Sequence, residues 1–103
     1  ERGEFFAALV ELRAQAAHDP AYRDHFTRSD RFFRKRLAAL VEQGIDEGVF
    51  RDVDPEATAA IVQTVVGGAM FERATTNEDS GELLRDELHA YLRCRLYVDD
   101  DAE

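Results

Sequence analysis

Glu42-Gln43-Gly44-Ile45-Asp46-Glu47-Gly48-Val49-Phe50-Arg51-Asp52-Val53-Asp54-Pro55-Glu56-Ala57-Thr58-Ala59-Ala60 reads as the end of one helix, a short loop and the start of the next. Gly48 is suited to the position just past a helix end, because a residue without Cβ reaches the left-handed conformation with little strain. Asp54-Pro55-Glu56 is a helix start. The Asp54 carboxylate accepts free backbone N–H groups, Pro55 stands where no N–H is needed, and Glu56 faces the positive end of the helix dipole. Between these signals, Val49, Phe50 and Val53 supply apolar side chains with which the corner pins itself to a core. The rest of the chain hangs from this corner.

At 103 residues the chain has room for one domain with a single core. Its charge is unusual: 13 basic residues stand against 22 acidic ones, for a formal net charge of -9, and every basic residue except Lys35 is Arg. Such a surface repels the nucleic-acid backbone, which argues against direct DNA or RNA contact by this segment. The acidity is read as adaptation to high salt, with Asp and Glu in place of Lys, in preference to drift of composition. Cys94 is the single cysteine, so no internal disulfide is available, and the usage fits a reducing cytoplasm. No apolar run approaches the ~20 residues of a membrane span, and no signal peptide is visible. The chain lacks an initiator Met and opens at Glu1 directly before an apolar helical pattern, as a piece of a longer polypeptide would.

Working outward from the corner, four helices are expected, at about 4–17, 20–47, 55–75 and 82–98. In the first, Phe5, Leu9, Leu12 and Ala16 recur at helical spacing, flanked by Phe6, Val10 and Ala17. His18-Asp19-Pro20 breaks it and starts the second, with Asp19 as the cap and Pro20 in the first turn. Tyr22, Phe26, Phe33, Leu37, Leu40, Val41 and Gly44 form the apolar stripe of that long helix. Thr27, Ser29 and Asp30 weaken its middle, where a kink or break is the alternative. The third helix is apolar nearly all round, so something outside the chain must cover part of it. Its Val62, Val65 and Val66 suit a strand, but its cap and length favour a helix. Gly67-Gly68 lowers helix stability by about 1 kcal/mol per glycine relative to Ala, for which close approach of another helix or room for a ligand is the usual return. Thr75 to Gly81 is a polar, exposed loop, and the run Asp99 to Glu103 a frayed acidic tail. The fourth helix carries one stripe at Leu84, Leu88, Tyr91, Leu92 and Leu96 and a partial second at Leu83, Ala90, Cys94 and Tyr97, which implies two partners.

Catalytic and metal chemistry finds little support. His18 and His25 are separated by the Asp19-Pro20 break, and solvated histidines are the simpler reading. Asp86-x-x-His89 has the spacing of half a bundle metal site but lacks the second copy and the further inward Glu residues that such sites use. Cys94 reads as a small core or interface residue, and Gly67-Gly68 is not followed by the Lys and Ser/Thr of a phosphate loop. No enzyme, cofactor or metal is expected. The aromatic set Phe5, Phe6, Tyr22, Phe26, Phe32 and Phe33, together with Met70 and Phe71, is mostly core. Large, loosely specifying side chains facing glycines on a neighbouring helix are also how an apolar small-molecule pocket is built.

The run Leu37 to Arg51, then Asp54-Pro55-Glu56-Ala57-x-Ala59, then a glycine at Gly67-Gly68, resembles the C-terminal ligand-sensing domain of TetR-family transcriptional regulators. Asp19-Pro20 opening the long helix matches as well, and the similarity covers nearly the whole chain in helix order and length. Each residue alone is ordinary capping chemistry; the ordered combination carries the identification. The resemblance implies an all-α bundle that dimerises with itself through its last two helices and holds an inducer among the others. It also implies that DNA is bound only by an N-terminal helix-turn-helix domain, of which no pattern precedes Glu1. On helix face and residue type, Phe6, Val10, Phe33, Leu37, Val66 and Met70 are the expected walls for a small apolar effector. Ile61, Val65, Gly68, Leu84, Leu88, Tyr91 and Leu92 are the expected dimer contacts. A helical protein-interaction module without a small ligand is the competing reading.

Overall fold

In a computed structural model, residues 2–98 are described, and they form four helices: α1 (Arg2–Gln15), α2 (Pro20–Asp46), α3 (Pro55–Thr75) and α4 (Gly81–Arg95). The capping chemistry accounts for the boundaries. Asp19 accepts a hydrogen bond from the Ala21 N–H at 3.0 Å, with Pro20 opening α2 behind it. Asp54 accepts from the N–H groups of Glu56 (3.0 Å) and Ala57 (3.3 Å), with Pro55 opening α3. At the end of α2, Gly48 takes φ +81°. Its N–H donates to the Ile45 carbonyl at 3.1 Å, while the Val49 N–H reaches back to the Gly44 carbonyl at 3.0 Å. This is the paired bonding of a Schellman turn, and it satisfies carbonyls that a helix end otherwise leaves free.

The corner is also where the core lies. Among the described residues, those buried are Ala38, Val41, Gly44, Thr58, Ala59 and Leu96, all from the end of α2, the start of α3 and the residue just past α4. Gly44 is obligatory there, because a Cβ on it would overlap the Phe50 ring, coming within 2.7 Å of Cγ. Thr58 is buried without penalty, since its hydroxyl donates to the Asp54 carbonyl at 2.9 Å. Phe50 stacks on Tyr97, ring centroids 5.7 Å apart and nearly parallel. Around that stack the Arg51 N–H donates to the Leu96 carbonyl (2.7 Å), the Val98 N–H donates to the Val49 carbonyl (3.1 Å), and Arg51 Nε donates to the Tyr97 carbonyl (2.8 Å).

Several expectations change in detail. The fourth helix stops at Arg95 and not near residue 98: the Leu96 and Tyr97 N–H groups both return to the Leu92 carbonyl, while the Leu96 carbonyl and the Val98 N–H pair with the corner loop. The first helix ends at Gln15, with turns over Ala16 to His18. The second is continuous through Thr27–Asp30, where the Thr27 hydroxyl is absorbed by the Arg23 carbonyl at 2.8 Å. Val49 contributes its backbone to the corner while its side chain stays 54% exposed. The loop after α3 is tied, with the Glu72 carboxylate accepting from the Ser80 N–H (3.1 Å) and hydroxyl (3.3 Å). The acidic run Asp99 to Glu103 lies outside the described residues.

The helix α3 packs against all three others, and α4 against α3. The assembly is extended, 52 × 30 × 21 Å with a radius of gyration of 16.3 Å, against about 13 Å for a compact chain of this length. It exposes 7994 Å², where a compact protein of this mass exposes roughly 5,900 Å².

Substituting Gly44→Ala is expected to lower unfolding free energy by about 1–3 kcal/mol, because the new methyl displaces the Phe50 ring. Gly48→Ala has open space around it and is expected to lose about 1–2 kcal/mol through the left-handed backbone alone. Urea unfolding followed by circular dichroism measures both, and a neutral Gly44→Ala would contradict the packing.

Candidate functional site

Among the described residues, two apolar grooves between helices stand out. The larger, about 380 Å³, runs between α1 and the start of α2 and is lined by Leu9, Leu12, Ala21, Tyr22, His25 and Phe26. The turn at His18-Asp19-Pro20 creates it by folding α1 back on α2. Arg23 secures that turn, donating from Nε to the Ala16 carbonyl (3.1 Å) and from Nη2 to the Ala17 carbonyl (3.0 Å), where α1 runs out of its own donors. His25 meets Phe26 edge to face at 5.3 Å, and the Arg13 guanidinium stands over the Phe26 ring, 5.0 Å from its centroid.

Arg13 also forms a two-pronged pair with Asp30, at 3.1 and 2.5 Å. The Asp30 hydrogen bond raises the Arg13 guanidinium above its ordinary pKa despite partial burial, so this cation persists at every accessible pH. Gln63 on α3 donates to the Asp30 backbone carbonyl at 2.9 Å. Asp30 is therefore the polar node at which α1, α2 and α3 meet.

The smaller groove, about 170 Å³, sits at the corner among α2, α3 and α4; Leu37, Val41, Phe50, Ala59, Leu92 and Leu96 are among its walls. Of the expected effector contacts, Leu37 lines this groove; Phe6, Val10, Phe33, Val66 and Met70 line neither groove. Phe6, Val10 and Met70 are half-buried, whereas Phe33 and Val66 are about half exposed. Of the expected dimer contacts, Leu92 shares the corner groove with Leu37; Ile61 and Tyr91 are exposed, and Val65, Leu84 and Leu88 are half-buried. Gly67 and Gly68 meet no neighbouring atom within 4 Å of where a Cβ would stand, so no aromatic of α1 or α2 lies against them, contrary to expectation. The α1–α2 groove was open to sequence reasoning: the Asp19-Pro20 break sets Leu9 and Leu12 opposite Tyr22 and Phe26, all stripe residues.

These features define an all-helical domain whose apolar surface exceeds what its own helices cover. Residues 1–96 match the C-terminal domain of BetI-type transcriptional repressors, and the chain belongs to the TetR family of transcriptional regulators as this C-terminal domain. The fold is similar to that of a TetR transcription regulator from Haloarcula marismortui, with a TM-score of 0.83 and 36% identity over 93% of this chain and 54% of that one. The chain thus spans about half the length of that regulator. Comparison with curated proteins finds no match. The family is one of regulators and in general not of enzymes.

Replacing Asp30 with Ala is expected to lower stability by less than about 1 kcal/mol, since both members of the pair are solvated and Gln63 bonds to a carbonyl that the substitution leaves in place. A double-mutant cycle with Arg13→Ala measures the pair, and a coupling several-fold larger would contradict the exposed geometry.

Proposed function

We propose that this chain is the effector-sensing and dimerisation domain of a cytoplasmic TetR-family regulator, acting as a repressor together with an N-terminal helix-turn-helix domain that contacts DNA. The observation that carries this reading is the uncovered apolar surface of α3 and α4. Ile61 (45%) and Phe71 (58%) on α3 and Tyr91 (36%) on α4 stand in solvent on the two helices through which the family dimerises. The open space at Gly67 and Gly68 fits close approach by a helix from a second copy. Two copies of α3 and α4 would form a four-helix bundle through Ile61, Val65, Gly68, Leu84, Leu88, Tyr91 and Leu92.

The effector is a small apolar molecule held among α1, α2 and α3, with Phe6, Val10, Phe33, Leu37, Val66 and Met70 as walls. The α1–α2 groove, at about 380 Å³, falls within the range of small-molecule sites, roughly 300–1,000 Å³, and adds room beside α1. Binding changes the tilt of the DNA-binding domains by population shift, and only as far as the effector's affinity differs between the two states. That both grooves open to solvent favours the alternative, a helical interaction module with no small ligand.

At micromolar concentration in molar salt, light scattering is expected to give the mass of a dimer; a monomer would overturn the interface, and Leu88→Glu is expected to produce one. A diverse library of apolar compounds is expected to include some that raise the melting temperature. At a hundredfold excess over Kd the gain is about 2.7 kcal/mol, on the order of 10 °C for a domain of this size. No response from any compound would favour the alternative.

A further inference from the structure

The net charge of -9 hides a local reversal. Residues 28–36 on α2 hold five cations, Arg28, Arg31, Arg34, Lys35 and Arg36, against the single carboxylate of Asp30. Asp30 is engaged by Arg13, and Arg34 turns toward Glu56 on α3 at 3.8 Å. The other four cations are exposed and form no ion pair among the described residues. They surround Phe32, which is 54% exposed, at one residue and one turn before it and at three and four residues after it; the Arg36 guanidinium lies 5.6 Å from the ring centroid. At helical spacing Arg28, Lys35 and Arg36 share the face of Phe32, with Arg31 at its edge about a quarter of a turn round: an apolar knob bordered by positive charge.

The opposite pattern stands at the start of α4. Leu83, 75% exposed, has Glu82 before it and Asp86 and Glu87 after it on α4, matching three of the four cation positions around Phe32. Asp79 stands in the loop just before the helix, where its carboxylate accepts from the Gly81 N–H at 3.0 Å. All four carboxylates are exposed, and none forms an ion pair among the described residues. Leu83 points about a third of a turn away from the stripe Leu84, Leu88, Tyr91 and Leu92, so a dimer built on that stripe leaves it free.

We propose that the Phe32 face of α2 docks on the Leu83 face of α4 in a second copy of this chain, a contact distinct from the α3–α4 dimer. Cation meets carboxylate around a small apolar centre, and like-charged pairings of the same faces are repelled, which sets which face meets which. A DNA backbone fits the α2 face less well. It offers phosphates but nothing for Phe32, and a duplex long enough to span the domain also meets the acidic remainder of the surface.

Sedimentation velocity at about a hundred micromolar in low salt is expected to show assembly beyond the dimer that weakens as sodium chloride is raised. Arg31→Glu with Lys35→Glu, or Asp86→Lys with Glu87→Lys, is expected to weaken that step by about tenfold or more. A chain carrying both pairs of changes is expected to recover it, because the charges are exchanged in sign and not removed. All the altered side chains are solvated, and circular dichroism checks that helix content holds. Absence of assembly beyond the dimer in the unaltered chain would overturn the contact, and so would failure of the exchanged chain to recover. Retarded migration of duplex DNA that is abolished by Arg31→Glu with Lys35→Glu, with self-association unmoved, would assign the face to phosphate instead.

Discussion

Everything else in this fold depends on the Phe50 ring packing where a Cβ on Gly44 would stand. The contact requires a helix residue without a side chain, a chain reversal immediately after it, and an aromatic two residues past the left-handed turn. Gly44, Gly48 and Phe50 meet those requirements within seven residues. Once seated, the ring stacks on Tyr97. The backbone bonds of Arg51 and Val98 then hold the end of the chain's last helix against the end of its second. Asp54 starts α3 three residues beyond Arg51, which fixes its direction relative to both. The buried residues therefore collect around this corner.

Away from the corner the helices are held differently. The helix α1 is attached through half-buried apolar side chains and through solvated polar tethers: Arg13 to Asp30, and Arg23 to the carbonyls of Ala16 and Ala17 just past its end. Exposed tethers of this kind contribute about 1 kcal/mol or less each. Elements held by few buried contacts open at lower free energy than those locked in a core. Thus α1 has the lower threshold for movement and the corner the higher one. The effector-sensing role proposed above would use such a division, because a helix that repacks around a ligand must do so without dissolving the frame that transmits the change.

What could be read from sequence follows the same division between local and distant causes. Asp19-Pro20, Asp54-Pro55 and Gly48 act on backbone groups within a few residues of themselves, and the starts of α2 and α3 and the end of α2 fall where those residues place them. The end of α4 was not legible. Leu96 and Tyr97 continue a helical pattern, and the partners that the corner gives to the Leu96 carbonyl and the Val98 N–H come from Arg51 and Val49, more than forty residues away. The side-chain assignments met the same limit. Helical period tells which residues share a face but not which neighbour covers it. Leu37 and Leu92, expected to serve sensing and dimerisation respectively, line one groove. Gly67 and Gly68, expected to face aromatics of the same chain, face open space.

The acidity bears on the fold through what it does not hold together. Among the described residues there are two ion pairs, Arg13–Asp30 and Arg34–Glu56, both solvated and the second at 3.8 Å. At molar ionic strength the Debye length falls to about 3 Å, so exposed charges beyond direct contact cease to act on one another. Mutual repulsion among the excess carboxylates is screened by the same ions. The corner is unaffected by that screening, since it is made of apolar packing, stacked rings and backbone hydrogen bonds. A chain of net charge -9 with its stability concentrated in such a corner gains compactness as salt rises and loses little in exchange.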